Sequence, residues 1–411
     1  MRRTKLDKWI KDTEALPELS REGLEALQLK RLNETLERAA ARGGVYAGYP
    51  RQLRSLEELQ TLPFTTPEQL SERSGGFLLI SQGNVERVIS GATSGTTGAG
   101  KRVFYTREDM EDTVGFFAAG ISEMLSAGER CLIAFPFTGP FGLGDLIARA
   151  VEKLGAEPVK AGYGQSWGEL CALVRDTGPQ AYIGFPIALL GLGRMYGPGF
   201  PIERSLVSAD ACPEGLMEEL EKLTGSKPFP HYGSRECGLG GAVSCPAHEG
   251  MHLRENHIIA EIVDAGGKRL PPGEYGELVI STVGLRAMPL LRYRTGDYTR
   301  FLPPCPCGGV TRRIDRVSRR GEGPSMEKLD EALFRLPGLV DCRAEFDGVL
   351  KISARALEPG LEGDIERAVS ACFPGLPVKP SCSLCSMEDG PMYPGKRHVL
   401  KGEKPGGKET G

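Results

Sequence analysis

The stretch from residue 91 to residue 106 constrains the fold more than any other part of the chain. It reads Gly-Ala-Thr-Ser-Gly-Thr-Thr-Gly-Ala-Gly-Lys-Arg-Val-Phe-Tyr-Thr, and so combines a flexible backbone, a cluster of hydroxyls and one cation. Glycines let a backbone curl until several N–H groups converge on an anion, while hydroxyls and a lysine add donors and charge. The pattern predicts a phosphate-binding loop. The residues expected to hold phosphate are Ser94, Gly95, Thr96, Thr97, Gly98 and Lys101.

The same letters contain the Walker A spacing G-x-x-x-x-G-K, at Gly95, Gly100 and Lys101. A Walker A loop needs Ser or Thr at the next position to bind magnesium, and a helix should begin there. This chain has Arg102 instead, followed by a β-branched and aromatic run at residues 103–105 that predicts a strand. A strand is also predicted before the loop. The loop is therefore expected to join two strands, which argues against a Walker A site.

Composition places the chain among globular proteins of more than one domain. It has 411 residues, of which 40% are hydrophobic and 26% are charged, with a formal net charge of -3. This balance gives no indication of a nucleic-acid-binding surface. No apolar run has the length of a signal peptide or a membrane span, so we expect a cytoplasmic protein without a membrane partner. A homodimer is left open.

Short apolar runs alternate with helical patterns between residues 107 and 230, which favours βαβ units with largely parallel strands. The expected fold class is α/β, with a large N-terminal domain of mixed sheets and helices at residues 1–315. Strands and turns predict a small β-rich subdomain within it, at residues 257–312. A small α+β C-terminal domain is predicted at residues 316–400, and the Lys- and Gly-rich end, residues 401–411, is predicted to be disordered.

Several cysteines and a nearby histidine have the composition of a metal-binding site. Cys305 and Cys307 form a C-x-C pair, and Cys245 lies upstream with His248 or His252 nearby. Three cysteines and one histidine form a closed structural zinc site in many proteins, so the sequence predicts zinc in the β-rich subdomain. The alternative is a group of reduced cysteines that bind no metal.

Four segments, taken in chain order, resemble the motifs of the AMP-forming acyl ligases. Residues 93–101 are similar to that family's phosphate loop, [ST]-S-G-T-T-G-x-P-K, and residues 231–236 to its Y-G-x-[ST]-E element. Residues 289–297 are similar to P-L-[IL]-R-Y-R-T-G-D, and residues 394–397 to its G-K-x-x-R region. A weaker likeness at residues 55–64 indicates the phenylacetate-CoA ligase-like group. The resemblance implies an adenylate-forming fold with a mobile C-terminal domain.

The resemblance also assigns roles to single residues. It implies that the Tyr232 ring stacks on adenine and that the Glu236 carboxylate helps to hold Mg²⁺, which suits a flat apolar face and a hard oxygen ligand respectively. It implies that Asp297 binds the ribose hydroxyls, since an ionised carboxylate can accept two hydrogen bonds. Gly233 belongs to the same adenine-side motif as Tyr232. Residues 208–210, with Ala209 and Asp210, correspond more loosely to a segment that lines the adenine site.

Two further roles lie near the C-terminal domain. Arg313-Ile314-Asp315 looks like the family's G-R-x-D, whose Arg contacts ribose and whose acid marks the pivot of the domain. Lys396 matches the lysine that stabilises the charge developing during adenylation. Together with Lys101 and Glu236, Lys396 completes the predicted catalytic set.

Three positions depart from the family's patterns. Gly100 stands where the family has Pro, Arg312 replaces the Gly of G-R-x-D, and Arg235 replaces a Thr or Ser. Arg235 is expected either to add a guanidinium at the phosphates or to block a hydroxyl contact to the reacting carboxylate.

The zinc prediction is refined by the same resemblance. The pattern C-x₆-H followed by C-x-C looks like the zinc site of some phenylacetate-CoA-ligase-like proteins, which favours His252 over His248. A competing Cys₄ set would join Cys382 and Cys385 to the C-x-C pair. It is ranked lower because it would hold the two domains together, whereas the family's mechanism needs the C-terminal domain to move.

The resemblance implies that the protein activates a carboxylic acid with ATP and Mg²⁺ to an acyl-adenylate, releases pyrophosphate, and then forms a thioester with CoA. The acid is expected to be an aryl or other small acid. Two alternatives remain open: transfer of the acyl group to an acceptor other than CoA, and a nucleotide-binding regulatory protein without turnover.

Overall fold

The computed structural model describes residues 2–91, 100–162, 164–319, 323–393 and 395–401. Its α-helices are α1 (Lys5–Thr13), α2 (Arg21–Arg42), α3 (Pro67–Arg73), α4 (Arg107–Ile121), α5 (Leu143–Lys153), α6 (Trp167–Thr177), α7 (Pro186–Tyr196), α8 (Glu214–Thr224), α9 (Met326–Leu333) and α10 (Glu362–Cys372). Its strands are β1 (Arg87–Gly91), β2 (Lys101–Tyr105), β3 (Arg130–Ala134), β4 (Glu157–Lys160), β5 (Ala181–Gly184), β6 (Arg204–Val207), β7 (Phe229–Tyr232), β8 (Ala242–Ser244), β9 (Met251–Leu253), β10 (Ile259–Val263), β11 (Gly276–Ser281), β12 (Tyr293–Thr299), β13 (Phe301–Leu302), β14 (Arg313–Ile314), β15 (Ser318–Arg319), β16 (Leu339–Phe346), β17 (Leu350–Ala356), β18 (Val378–Leu384) and β19 (Leu400–Lys401).

The local signals around the phosphate loop are confirmed. A strand lies on each side of it, and β1 and β2 pair antiparallel with Gly91 opposite Lys101. The helix after β2 begins with a capping box, in which Thr106 accepts from the N–H of Asp109 and Asp109 accepts from the N–H of Thr106. Each bond satisfies an N–H that a helix end would leave unpaired.

The described chain divides into two compact units, each assembled from three stretches. The first contains Met1–Glu123, Thr138–Leu154 and Phe229–Arg320, and the second contains Met124–Phe137, Gly155–Pro228 and Gly321–Gly411. The predicted domain division at residue 315 stays a prediction.

The first unit holds antiparallel sheets. One sheet has the order β10-β11-β12-β15, and the strands β13-β14-β9-β8-β7 pair with one another in that order. Helix α1 packs on α4, which also contacts α5. The strands expected within residues 257–312 are β10 to β13.

The second unit combines parallel strands with an α+β module. Strands β4-β3-β5-β6 are parallel, as the βαβ alternation predicts. Strands β18-β17-β16-β19 form a further sheet, whose β16–β17 hairpin turns at Asp347 and Gly348 as predicted. Both parts share one apolar core, which contains Trp167 and Leu190 from the first part and Phe334 and Val340 from the second. In the part of the chain that is described, no helix is long and apolar enough to cross a membrane.

Candidate active site

The phosphate-loop residues Ser94, Gly95, Thr96, Thr97 and Gly98 lie outside the described residues. The two ends of the loop are described, because Gly91 closes β1 and Lys101 opens β2. Antiparallel pairing brings these two residues opposite each other. Any group beside this pair therefore lies at the base of the loop.

Lys101 forms a buried polar cluster with Glu236 and Tyr293. Its Nζ lies 3.4 Å from Oε1 of Glu236 and 3.0 Å from the Tyr293 hydroxyl, which itself donates to Glu236 at 3.2 Å. Burial raises the pKa of Glu236, but the Lys101 charge, a backbone N–H, the Arg235 charge and the hydrogen bond from Lys101 together outweigh burial, so this pKa is below its usual range. Glu236 is therefore an ionised carboxylate that lies beside a cation at the base of the loop, which suits a ligand for a hard divalent ion.

Tyr232, at the end of β7, contacts Asp297, in β12, although these strands belong to different sheets. The Tyr232 hydroxyl donates to Oδ2 of Asp297 at 2.8 Å, and Nε of Arg319 donates to Oδ1 at 2.7 Å. Arg319 lies opposite Asp297 in the β12–β15 pairing. Next to Tyr232, a Cβ on Gly233 would lie 2.1 Å from the Leu239 carbonyl oxygen, so the turn after β7 requires glycine.

Arg313 lies elsewhere in the first unit. Its guanidinium donates to the carbonyls of Glu249, Pro303 at 2.7 Å and Pro304 at 3.2 Å, and the residue is only 4% exposed. It thus fixes the loop that precedes Cys305. The arginine that contacts Asp297 is Arg319, to which sequence reasoning gave no role.

A buried Cys₃His cluster consists of Cys245, His252, Cys305 and Cys307, whose ligand atoms all lie within 4.8 Å of one another. The Sγ atoms of Cys245 and Cys305 are 3.6 Å apart, and Cys307 Sγ is 3.5 Å from His252 Nε2. Backbone N–H groups donate to the sulfurs, for example Gly309 to Cys307 at 3.3 Å. Neither Cys382 nor Cys385 belongs to this cluster.

The hydrogen bonds behind His252 set its tautomer. Its Nδ1 lies 2.9 Å from the Thr311 hydroxyl, which donates in turn to Asp7 at 2.9 Å. Since the hydrogen of that hydroxyl is directed at Asp7, the hydroxyl oxygen accepts from Nδ1–H, and Nε2 presents its lone pair to the cysteines. The His248 ring packs instead 4.4 Å from the Phe229 ring. The donor set and its support therefore fit a closed tetrahedral zinc site.

Ala209, Asp210 and Lys396 belong to the second unit. Ala209 has a positive φ of 69°, an uncommon conformation for a residue with a Cβ. Burial raises the pKa of the adjacent Asp210, while the charges of Arg397 and Lys396 oppose this change. The N–H of Arg397 donates to Oδ2 of Asp210 at 3.3 Å, which holds the segment of Lys396 beside Asp210.

Arg397 is anchored in the core of that unit. It is 6% exposed, and its guanidinium lies 2.5 Å from Asp330 and donates to the Cys342 carbonyl at 2.8 Å. Burial raises the pKa of Asp330 to about 7, although the Arg397 charge opposes the rise. Lys396 itself is exposed and does not pack into the core. The buried Arg397, which follows it in the chain, fixes its backbone.

Comparison with known proteins gives close relatives of one kind. No protein-family model matches the chain. The phenylacetate-coenzyme A ligase of Aromatoleum evansii is 32% identical over 332 residues, which cover 76% of this chain and 73% of that protein. The phenylacetate-coenzyme A ligase of Escherichia coli is 31% identical over 321 residues, covering 73% of this chain and 71% of that protein.

Among solved structures, a 2-hydroxyisobutyryl-CoA ligase in the postadenylation state has a TM-score of 0.77. It is 19% identical, and the match covers 92% of this chain and 90% of that chain. At this identity the likeness shows that the two chains share a fold.

Proposed function

The chain belongs to the phenylacetate-coenzyme A ligase family, and on that premise we propose that it joins a carboxylic acid to coenzyme A with ATP. In the first half, an oxygen of the acid's carboxylate attacks the α-phosphorus, the bond to the bridging oxygen breaks, and pyrophosphate leaves. In the second half, the deprotonated thiol of coenzyme A attacks the acyl carbonyl carbon and AMP leaves.

The observation that carries the proposal is the contact of Lys101 with Glu236 at the base of the phosphate loop. These residues are 135 positions apart in the chain, yet they bring a cation and an ionised carboxylate to one buried place. The Lys101 ammonium stabilises phosphate oxygens as their charge grows. Glu236 would hold Mg²⁺, which supplies charge neutralisation at the phosphates.

The nucleoside would be held by other described residues. Asp297 accepts from the ribose hydroxyls, and Tyr232 positions that carboxylate while its ring offers a flat face to adenine. Arg319 donates to Asp297 and so helps to orient this carboxylate. Ala209 and Asp210 would line the adenine site. Arg313 supports the cysteine loop, and its contact to ribose stays a prediction.

Lys396 is proposed to act in the first half only. As pyrophosphate leaves, charge accumulates on the α-phosphate and on the bridging oxygen, and a positioned ammonium stabilises it. The buried Arg397 fixes the backbone of Lys396 through Asp330. Movement of the C-terminal domain before the thiol attacks remains part of this proposal.

We also propose that the Cys₃His cluster holds a structural zinc ion. Four donors from three separate strands and loops converge there, so a bound ion would cross-link β9 to the loop before β14. The cytoplasmic location and the homodimer stay predictions.

Pyrophosphate release with a panel of carboxylic acids tests the function, with phenylacetate as the first acid because both relatives carry its name. With phenylacetate, ATP and Mg²⁺ we expect pyrophosphate, and a mass spectrum of phenylacetyl-CoA only when coenzyme A is added. Glu236→Gln should abolish both. Lys351→Ala, at an exposed lysine paired with Asp347, is the matched control and should leave both unchanged.

The outcomes separate the remaining alternatives. Pyrophosphate release without any thioester would point to another acceptor. Tight AMP binding without pyrophosphate release for any acid would contradict the proposed ligase and favour a regulatory protein.

A further inference from the structure

The side chain of Arg235 lies at the base of the phosphate loop. A Cβ built on Gly91 would lie 1.5 Å from Nη1 of Arg235 and 2.3 Å from its Cζ, so the guanidinium occupies the space that the missing side chain leaves. Gly91 is the last residue before the loop and lies opposite Lys101, the second residue after the undescribed segment. The guanidinium is therefore beside the point where the loop leaves and re-enters the hairpin.

The backbone of Arg235 is held firmly while its head group is not. Tyr105, which is fully buried, donates its hydroxyl hydrogen bond to the Arg235 carbonyl. Arg235 also begins a single 3₁₀ turn, Arg235–Cys237, capped by Ser234. These contacts fix the direction in which the side chain leaves the backbone. The residue itself is only partly buried.

The guanidinium makes no hydrogen bond or ion pair with any described residue. The neighbouring carboxylate, Glu236, is already paired with Lys101. Arg235 acts on Glu236 only through its charge, which helps to lower the pKa of that carboxyl, behind the effects of burial and Lys101. A guanidinium has five N–H donors and keeps its charge at any ordinary pH. The described residues therefore leave its donors unused, and they lie beside the loop that is proposed to hold phosphate.

We propose that Arg235 binds an oxyanion at the reaction centre, either the α-phosphate of the nucleotide or the carboxylate of the acid. The inference rests on the proposed function, which brings these two anions together. Adenylation has to overcome the mutual repulsion of these two anions, and a positioned cation beside them reduces that repulsion. The planar guanidinium can bind two oxygens of one anion at once. Gly91 is then required because any side chain there would displace the guanidinium.

Calorimetry with AMP and with adenosine distinguishes the two anions. If Arg235 binds the α-phosphate, Arg235→Ala weakens AMP binding by about 10- to 100-fold and changes adenosine binding less than about twofold. If it binds the acid, AMP binding is kept and KM for phenylacetate rises by about 10-fold or more. Arg235→Lys should restore part of either loss, since it returns the charge without the bidentate geometry.

Gly91→Ala tests the placement without removing the arginine. Gly91 has no positive φ, and the clash is with the end of a flexible side chain, so the protein should fold normally. We expect this variant to reproduce most of the Arg235→Ala effect. It should add nothing in the Arg235→Ala background, because the two changes act on one contact.

Arg102→Ala is the matched control. Arg102 follows Lys101 on the same strand, and its side chain is exposed on the opposite face, so its loss removes the same charge nearby with little effect. The proposal is overturned if Arg235→Ala changes AMP binding, adenosine binding and KM by less than twofold, or if the Gly91 and Arg235 effects simply add. If the wild-type chain activates no acid, the proposed function fails. The comparison of AMP with adenosine binding in Arg235→Ala then still tests whether Arg235 binds the phosphate.

Discussion

The hydroxyl of Tyr232 donates a 2.8 Å hydrogen bond to Asp297, although 65 positions separate the two residues in the chain. The bond joins the residue proposed to face adenine to the residue proposed to bind ribose. It holds the carboxylate in one orientation before any nucleotide binds. The two residues proposed to hold the nucleoside are therefore joined directly by the Tyr232 hydroxyl.

Asp297→Asn should weaken AMP binding by about 10- to 100-fold, because the amide loses the charge that strengthens two hydrogen bonds to ribose. Tyr232→Phe keeps the ring and loses only the orienting bond, so a loss of about two- to fivefold is expected. Calorimetry with 2′,3′-dideoxy-AMP gives the control, since Asp297→Asn should hardly affect a ligand without those hydroxyls. Equal losses for both ligands would count against the ribose role.

Purified protein should contain one zinc ion per chain by elemental analysis. Cys305→Ser should remove it and lower the melting temperature by on the order of 10 °C, because the β9 strand and the cysteine loop lose their cross-link. Cys385→Ser is the matched control, a buried cysteine outside the cluster, and should keep the zinc. Zinc that survives Cys305→Ser would exclude the assignment.

Lys396→Ala should reduce acid-dependent exchange of pyrophosphate into ATP by about 10²- to 10³-fold, since the ammonium stabilises charge only as the α-phosphate reacts. ATP binding by calorimetry should change little. Thioester formation from chemically made phenylacetyl-adenylate and coenzyme A should be kept, because that half does not use the lysine. Unchanged exchange would remove Lys396 from the mechanism.

The buried pair of Arg397 and Asp330 predicts a large stability effect. Arg397→Met should lower the free energy of unfolding by about 3–5 kcal/mol, because it leaves a buried carboxylate without its partner. Adding Asp330→Leu should recover most of that loss, which urea unfolding of the single and double variants measures. If the double variant is no more stable than the single one, the ion pair is not the cause.

His231 predicts that acid destabilises the protein. Burial lowers the pKa of its imidazole to about 4, whereas an unfolded histidine takes up a proton near pH 6.5. The unfolded state therefore binds more protons between these values, so stability falls as the pH falls, by up to about 3 kcal/mol near pH 4. In His231→Gln the free energy of unfolding should depend less steeply on pH from 6.5 to 4. The same change at the exposed His398 should keep the slope.

Local features were predictable wherever neighbouring residues decide the structure. The capping box of Thr106 and Asp109, the turn at Asp347 and Gly348, and the strands on both sides of the phosphate loop were read correctly because their hydrogen bonds join residues a few positions apart. The family was also readable, since its motifs are continuous in the chain. The preference for His252 over His248 agrees with the cluster that the structure brings together.

Contacts across the chain were not readable in the same way. Tyr293 lies within a recognised motif, yet only the folded protein shows that its hydroxyl joins Lys101 to Glu236. Arg319 reaches Asp297 because β15 pairs with β12 at that register, while the neighbouring Arg313 faces carbonyls of the cysteine loop.

The amino-acid order alone thus determined the kinds of groups, the strand and helix pattern, and the class of chemistry. Tertiary structure decided which arginine meets which anion and what space a glycine leaves open, as at Gly91 and Arg235. The reason is that strand register and packing set the direction of each side chain, and these depend on partners far away in the sequence.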